Sequence, residues 1–124
     1  MTTTGLILFA HGARDARWAE PFHRLAEKVA RARPDVPVRL AFLDFMQPGL
    51  EAAAEALVAD GCAALRIVPV FFGQGGHLRE DVPRVVAAVR ARHPGVAVEV
   101  LEAIGENDAV LAQIALVAVD ALPA

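Results

Sequence analysis

The sequence predicts an α/β fold of three layers, in which a four-stranded parallel sheet carries helices on both faces. Short aliphatic runs recur about every 30 residues, which is the spacing of strands joined by crossover helices. Their nearly continuous apolar content is typical of parallel strands, which are buried on both faces. Between the runs, apolar residues repeat with the period of a helix. We therefore expect four strand–helix units that form a single domain over residues 1–124.

The strands are predicted over residues 5–10, 36–45, 63–72 and 96–103. Because crossovers between parallel strands are right-handed, few strand orders are open to four such units, and we predict the flavodoxin-like order 2-1-3-4. In this order the first strand lies between the second and the third. Ligands of such sheets bind outside the carboxyl ends of the strands, at this switch point.

Four helices are predicted after the strands. Apolar residues share one helical face over residues 18–29 and again over residues 50–58. A third helix is expected to begin after Asp81 as its N-cap, with Pro83 in its first turn. The last helix, over residues 107–122, is apolar nearly all round. Such a helix is either well buried or part of an interface.

The composition restricts the partners of the chain. A net charge of -3 argues against nucleic acid as the principal partner. Hydrophobic residues make up 56% of the sequence, which predicts buried helices on both sheet faces, a large subunit interface, or both. No apolar stretch approaches the roughly 20 residues of a membrane span, so no membrane partner is expected. Cys62 is the single cysteine, which fits a reducing compartment, and we expect the cytoplasm.

Three polar residues follow three of the predicted strands. His11 comes directly after the first strand, Asp44 lies at the end of the second, and His77 lies in the glycine-rich loop after the third. The predicted strand order brings them to one edge of the sheet. Two imidazoles and a carboxylate form a site for a divalent ion such as Co, Ni, Fe or Zn. The sequence therefore predicts His11, His77 and Asp44 as metal ligands, and the two histidines can also take up protons near neutral pH.

Other interpretations of these residues stay open on the pattern alone. Asp44 could cap the turn before the second helix, and His23 and His93 are interpreted as structural. The "GQGGH" loop could hold a phosphate, but neither nucleotide motif, G-x-G-x-x-G or G-x-x-x-x-G-K-[ST], is present. The stretch "LFAHG" resembles the opening of phosphohistidine phosphatases, yet Ala10 stands where those enzymes have an arginine. Without that phosphate-binding side chain the phosphatase interpretation is weak.

Arginines lie close to both candidate histidines. Arg14 follows His11 and Arg79 follows His77, and both are predicted to bind carboxylates of a substrate. Arg17 and Arg84 are interpreted as solvated charges at helix ends.

Three stretches of the chain together resemble one known family. They are "LILFAHGARD" (6–15), "AFLDFMQPGLEAA" (41–53) and "IVPVFFGQGGHLREDVP" (67–83). They are similar to the short class II tetrapyrrole chelatases, the sirohydrochlorin cobaltochelatase group (CbiX-like, short form). The likeness runs over nearly the whole chain. Members of this length resemble one half of larger two-domain chelatases and work as homodimers, so the resemblance implies a homodimer.

The resemblance also implies an activity and its residues. The activity is insertion of Co²⁺, or of Ni²⁺ or Fe²⁺, into sirohydrochlorin for cobalamin biosynthesis. The histidines of the "HG" and "GGH" motifs handle the metal in this family, which implies catalytic roles for His11 and His77. Relatives commonly have glutamate where this chain has Asp44, whose side chain is one methylene shorter.

The tetrapyrrole itself carries eight carboxylates. They call for cationic and N–H donors at the rim of the site, for which Arg14, Arg79, Gly75 and Gly76 are the candidates. Phe72 and Leu78 are candidates for packing on the ring face, or for ordinary core positions. Since no nucleotide motif is present, insertion is expected to proceed without ATP.

Two other functions compete with the chelatase. A carrier of metal or tetrapyrrole would bind Co²⁺ without accelerating its insertion. A phosphate-handling enzyme would hydrolyse a phosphoester and would not depend on His77.

Overall fold

Four parallel strands form the centre of the molecule. The structure is a computed structural model that describes residues 3–73 and 75–124, without the side chain of His77. The strands are β1 (Thr4–Ala10), β2 (Val38–Phe42), β3 (Ala64–Pro69) and β4 (Ala97–Val100). All pairs are parallel, and the order across the sheet is β2-β1-β3-β4. The predicted strand order is confirmed.

Helices follow each strand. They are α1 (Glu20–Ala32), α2 (Leu50–Ala59), α3 (Gly76–Arg92) and α4 (Asp108–Asp120), with 3₁₀ helices over Ala16–Ala19 and Ile104–Glu106. No helix in the described part of the chain is long and apolar enough to cross a membrane.

The two faces of the sheet carry separate cores. Ile7 and Phe9 of β1 are fully buried in the larger core, which includes residues of α2 and α3. Ala10 points to the other face, where Trp18 and Phe22, from the 3₁₀ helix and α1, pack in a smaller core. Side chains of a strand alternate between the two faces, so each needs its own helical layer. The prediction of helices on both faces is confirmed.

The prediction for the start of α3 is wrong. The helix begins at Gly76 with Gly75 as its N-cap, so Asp81 lies within it and Pro83 is an interior residue. The apolar face of the helix extends back to Leu78, one turn before Val82, and Leu78 packs against the larger core. That contact keeps the first turns helical, although the proline ring removes one helix hydrogen bond.

Strands β2, β3 and β4 are shorter than predicted. After Phe42, the chain turns so that the Phe42 N–H donates to Pro48 O at 2.9 Å. The apolar residues beyond the strands, including Phe45 and Phe72, therefore lie in loops, and both of these are exposed. An apolar run in the sequence indicates which residues are hydrophobic, but it does not show at which residue the hydrogen bonding between strands ends.

The last helix packs little against the rest of the chain. None of the residues of α4 is buried, and its exposed large side chains are Leu111, Ile114, Leu116, Val117 and Val119. Of the two predicted alternatives, burial within this chain is excluded. An interface is left as the explanation for its apolar surface.

Candidate functional site

The loops that follow the four strands meet at one edge of the sheet. Backbone hydrogen bonds of 2.7–3.2 Å join the loops after β2 and β3 to the end of β1, and the loop after β4 to the loop after β3. They run from Leu43 N–H to Ala10 O, from Val70 N–H to Phe9 O, and from Gly105 N–H to Phe71 O. The loops are thus joined in the same order as their strands. A site at this edge is built from four distant stretches of sequence that the backbone holds in fixed relation.

His11 and Asp44 are brought together here, as predicted. The Asp44 N–H donates to His11 O at 3.0 Å. Gly12 is buried with φ +92°, and a Cβ at this position would overlap the Asp44 carbonyl group. Glycine is therefore required at residue 12 both for its backbone conformation and for the close approach of the two loops.

The ring of His11 is held in a defined orientation. It is half-buried, and its Nδ1 lies 3.1 Å from Gly12 O. A carbonyl oxygen can only accept, so the neutral ring carries its proton on Nδ1 when this bond is made. The Nε2 lone pair is then available to a metal ion or to a proton.

Asp44 does not cap α2. The N-cap of that helix is Gly49, with no side-chain cap. Within the described residues the half-buried Asp44 carboxylate makes neither a hydrogen bond nor an ion pair. The capping alternative is excluded, and the carboxylate stays a candidate for a role at the site.

His77 lies in the first turn of α3, and its side chain is outside the described residues. Across the residues that are described, no three His, Cys, Asp or Glu side chains are grouped to hold a metal ion. Gly75 and Gly76 are exposed and border open space, and Gly75 O accepts the Arg79 N–H at 3.1 Å. Joint metal binding by His11, Asp44 and His77 stays a prediction.

The arginines near the site differ in their partners. Arg17 is exposed and pairs with Asp15 at 2.9 Å, which lowers the pKa of that carboxyl. Arg84 similarly contacts Asp81 at 3.3 Å. The Arg14 guanidinium instead lies 4.7 Å from the centre of the Phe45 ring. Both side chains are exposed, as predicted, but each has a carboxylate partner, and Arg84 lies within α3 and not at a helix end.

Two residues that position the site were missed at the level of sequence. Gly105 lies so close to the Phe72 backbone that a Cβ there would overlap it, so this contact fixes the position of Phe72. Phe45 has φ 68°, a conformation that bulky residues rarely adopt. No local motif indicates either feature, since both depend on contacts between loops.

A separate cleft lies beside the candidate site. It has a volume of about 430 Å³ and opens between the β2–α2 loop and α3, with Gln47, Glu51 and Arg84 among its lining residues. His11 and Asp44 do not line it. The candidate site is thus an open edge of the sheet, where the loops converge at the switch point.

Comparisons with known proteins agree on one family. A family model described as CbiX matches residues 5–118. A sirohydrochlorin cobaltochelatase of Methanosarcina barkeri is 31% identical over 83 residues, which are 67% of this chain and 64% of that protein. The chain thus spans slightly less than two thirds of this relative.

Solved structures share the fold. One, described as a cobalamin (vitamin B12) biosynthesis CbiX protein from Marinobacter aquaeolei VT8, is 32% identical with a TM-score of 0.84, over 94% of this chain and 95% of that chain. The sirohydrochlorin chelatase SirB from Bacillus subtilis subspecies spizizenii, solved in complex with cobalt, is 22% identical with a TM-score of 0.77. That alignment covers 97% of this chain and 51% of SirB, and it shows a common fold.

Proposed function

Because the chain belongs to the CbiX family, we propose that it catalyses ATP-independent insertion of a divalent metal ion, Co²⁺ in the first place, into sirohydrochlorin. The family match over residues 5–118 is the observation that carries this proposal. The arrangement at the sheet edge supports it, because His11 is placed there with an oriented ring and Asp44 is adjacent. Ni²⁺ and Fe²⁺ are the other candidate substrates.

His11 suits both parts of the reaction. The ion must lose water before it enters the macrocycle, and two pyrrole protons must leave. With Nδ1 directed at Gly12 O, the Nε2 lone pair of His11 can hold the ion or accept a proton. We assign the second imidazole to His77, and the Asp44 carboxylate provides negative charge that attracts the metal cation.

We assign the binding of the sirohydrochlorin carboxylates to the two arginines at this edge of the sheet. Arg14 and Arg79 are both exposed, on the loop after β1 and on the first turns of α3. Exposed backbone at Gly75 and Gly76 leaves room for the rim of a large ligand. Guanidinium groups bind carboxylates with two parallel hydrogen bonds, which orients the ring as well as holding it.

The direct test is anaerobic absorbance of sirohydrochlorin with Co²⁺, with and without protein. We expect acceleration by the native chain and a loss of about 100-fold or more in His11→Ala and in His77→Ala, the scale of a lost proton-transfer group. His23→Ala is the matched control, because His23 is exposed on α1. Binding of Co²⁺ without acceleration would identify a carrier instead. Phosphoester hydrolysis that persists in His77→Ala would indicate a phosphatase.

We further propose that the working form is a homodimer in which α4 of each chain covers the sheet of the other. Leu65 and Ile67 belong to the larger core, so Arg66 of β3 points to the opposite face, and it is exposed. Side chains along β4 alternate in the same way, so Glu99 and Leu101 lie on this opposite face too, and both are exposed. A parallel sheet normally has both faces covered. Arg66 and Glu99 pair with each other at 3.4 Å, so an apolar helix can cover this half-face without leaving either charge unpaired.

The dimer is tested by light scattering after size exclusion. Val117→Glu places a charge on α4 at a side chain that is 71% exposed in one chain, so it should yield monomers without unfolding them. Ala30→Glu, on the exposed side of α1, is the control and should stay dimeric. If Val117→Glu stays dimeric, α4 is not the interface. If the native chain is a monomer at every concentration, the dimer proposal is wrong.

Two expectations about the whole protein are kept as part of the proposal. We take residues 1–124 as one domain and place the protein in the cytoplasm. The single cysteine supports that location, because a chain with one buried thiol forms no internal disulfide.

A further inference from the structure

Phe45 has a backbone conformation that is energetically unfavourable for a residue with a side chain. Its φ is 68°, and the Met46 N–H donates across it to Asp44 O at 2.8 Å. A three-residue turn with this hydrogen bond and a positive φ at its centre is the strained form of the γ-turn. Glycine would adopt it without that cost. Residues kept in such conformations are concentrated at ligand sites.

Packing in the core does not offset the strain. The Phe45 side chain is 59% exposed, so most of its ring is in water. The loop on both sides of it is fixed, since Asp44 N–H donates to His11 O at 3.0 Å and Phe42 N–H donates to Pro48 O at 2.9 Å. The loop thus presents an aromatic ring to solvent in a defined position next to His11.

Arg14 is held against this ring. The guanidinium carbon lies 4.7 Å from the ring centroid, within the range of a cation–π contact. Arg17, three residues on, is neutralised by Asp15. Arg14 has no carboxylate partner within the described residues, so its charge is available to an anion.

We propose that Phe45 and Arg14 form a binding site for one edge of a flat, carboxylate-bearing macrocycle. The Phe45 ring packs against the face of the macrocycle, and Arg14 binds a peripheral carboxylate. The Arg14 guanidinium lies over part of the Phe45 ring. Stacked rings prefer an offset arrangement, so the macrocycle packs on the remaining exposed part of Phe45 with its peripheral carboxylates towards Arg14. This assignment rests on the proposed function. It adds Phe45 to the residues that bind the substrate and gives it the role of orienting the macrocycle.

The position of a second exposed ring agrees with it. Phe72 follows β3 and is 62% exposed, and Phe45 follows β2. Strand β1, which leads to His11, lies between these two strands. Two strand spacings separate the loops by about 10 Å. A ring resting on both phenylalanines would therefore have its centre over the loop that carries His11.

The experiment measures binding of metal-free sirohydrochlorin by fluorescence titration, without any metal. Phe45→Gly should weaken binding by about 3- to 10-fold, the size of one aromatic contact. Phe45→Tyr should retain it. Since glycine relieves the positive φ, Phe45→Gly should unfold at the same or a higher temperature, which separates lost binding from lost folding. Binding of Co²⁺ alone should not change.

Arg14 has a matched control in Arg17. Arg14→Gln should weaken binding by about 10-fold, as expected for a lost charge-assisted contact. Arg17→Gln should not, because Arg17 is paired with Asp15. Unchanged binding in Phe45→Gly and Arg14→Gln would overturn this assignment and leave the chelatase intact. If the native chain neither binds sirohydrochlorin nor accelerates metal insertion, the chelatase and this site are both wrong.

Discussion

Replacing Gly12 by alanine tests whether the edge of the sheet is assembled as described. Gly12 is buried, its φ is +92°, and a Cβ would overlap the Asp44 carbonyl oxygen and lie 3.0 Å from the carbonyl carbon. Alanine therefore introduces two costs at once. One is the positive φ, and the other is separation of the loops that carry His11 and Asp44.

The two costs can be estimated separately. A positive φ at a residue other than glycine costs of order 1–3 kcal/mol. Contacts between carbon and a carbonyl oxygen normally lie at about 3.3–3.6 Å, so the Asp44 carbonyl must move away. That movement breaks the hydrogen bonds from Asp44 N to His11 O and from Leu43 N to Ala10 O. Each contributes about 0.5–1.5 kcal/mol, so with the cost of the positive φ we expect a total loss of about 2–6 kcal/mol.

Urea unfolding followed by circular dichroism measures this loss, and Gly61→Ala is the matched control. Gly61 has φ +100° with nothing within 4 Å of a built Cβ, so alanine there has only the conformational cost. The difference between the two variants isolates the contact between the loops, and should be about 1–3 kcal/mol. If Gly12→Ala is no less stable than Gly61→Ala, the two loops do not touch and our account of the site is wrong.

Three further predictions concern other parts of the chain. Gly105→Ala should reduce stability and any chelatase rate by displacing Phe72, whereas Gly95→Ala, where a Cβ meets nothing within 4 Å, should be neutral in both assays. Burial raises the pKa of the Cys62 thiol, so the folded state favours the neutral form and loses stability as pH rises above the unfolded value of about 8.5. Iodoacetamide should therefore label Cys62 slowly near pH 9 unless urea is added, and fast labelling without urea would contradict its burial. Asn107→Ala removes the N-cap bond to Val110 N–H and should cost about 1 kcal/mol in thermal unfolding, while Asn107→Asp should not.

The strand order could be predicted from the sequence because few arrangements satisfy right-handed crossovers. Four aliphatic runs with helical segments between them leave little choice, and the position of His11 between Asp44 and the glycine-rich loop follows from that order. The placement of site residues at one edge is therefore largely a consequence of topology. It needs no knowledge of individual contacts.

The residues at which helices and strands begin and end could not be predicted as well as the strand order. Pro83 indicated a helix start because proline is common in the first turn, yet the contact of Leu78 with the core carries the helix back to Gly76. Phe45 and Phe72 extend the apolar runs of two strands and were therefore assigned to them. In the folded chain, hydrogen bonds between loops decide where each strand stops, and these bonds join residues far apart in the sequence.

The apolar residues that the fold leaves exposed form two groups with different explanations. Residues of α4, such as Leu116 and Val117, lie on a helix without tertiary support, which a second protein surface can bury. Phe45 and Phe72 instead lie on loops fixed by backbone hydrogen bonds, and Phe45 is strained as well. Protein–protein interfaces bury many side chains together, so they do not require single aromatic rings held in strained backbone conformations. This difference supports both proposals, a rigid, flat ligand at the edge of the sheet and a second copy of the chain on α4.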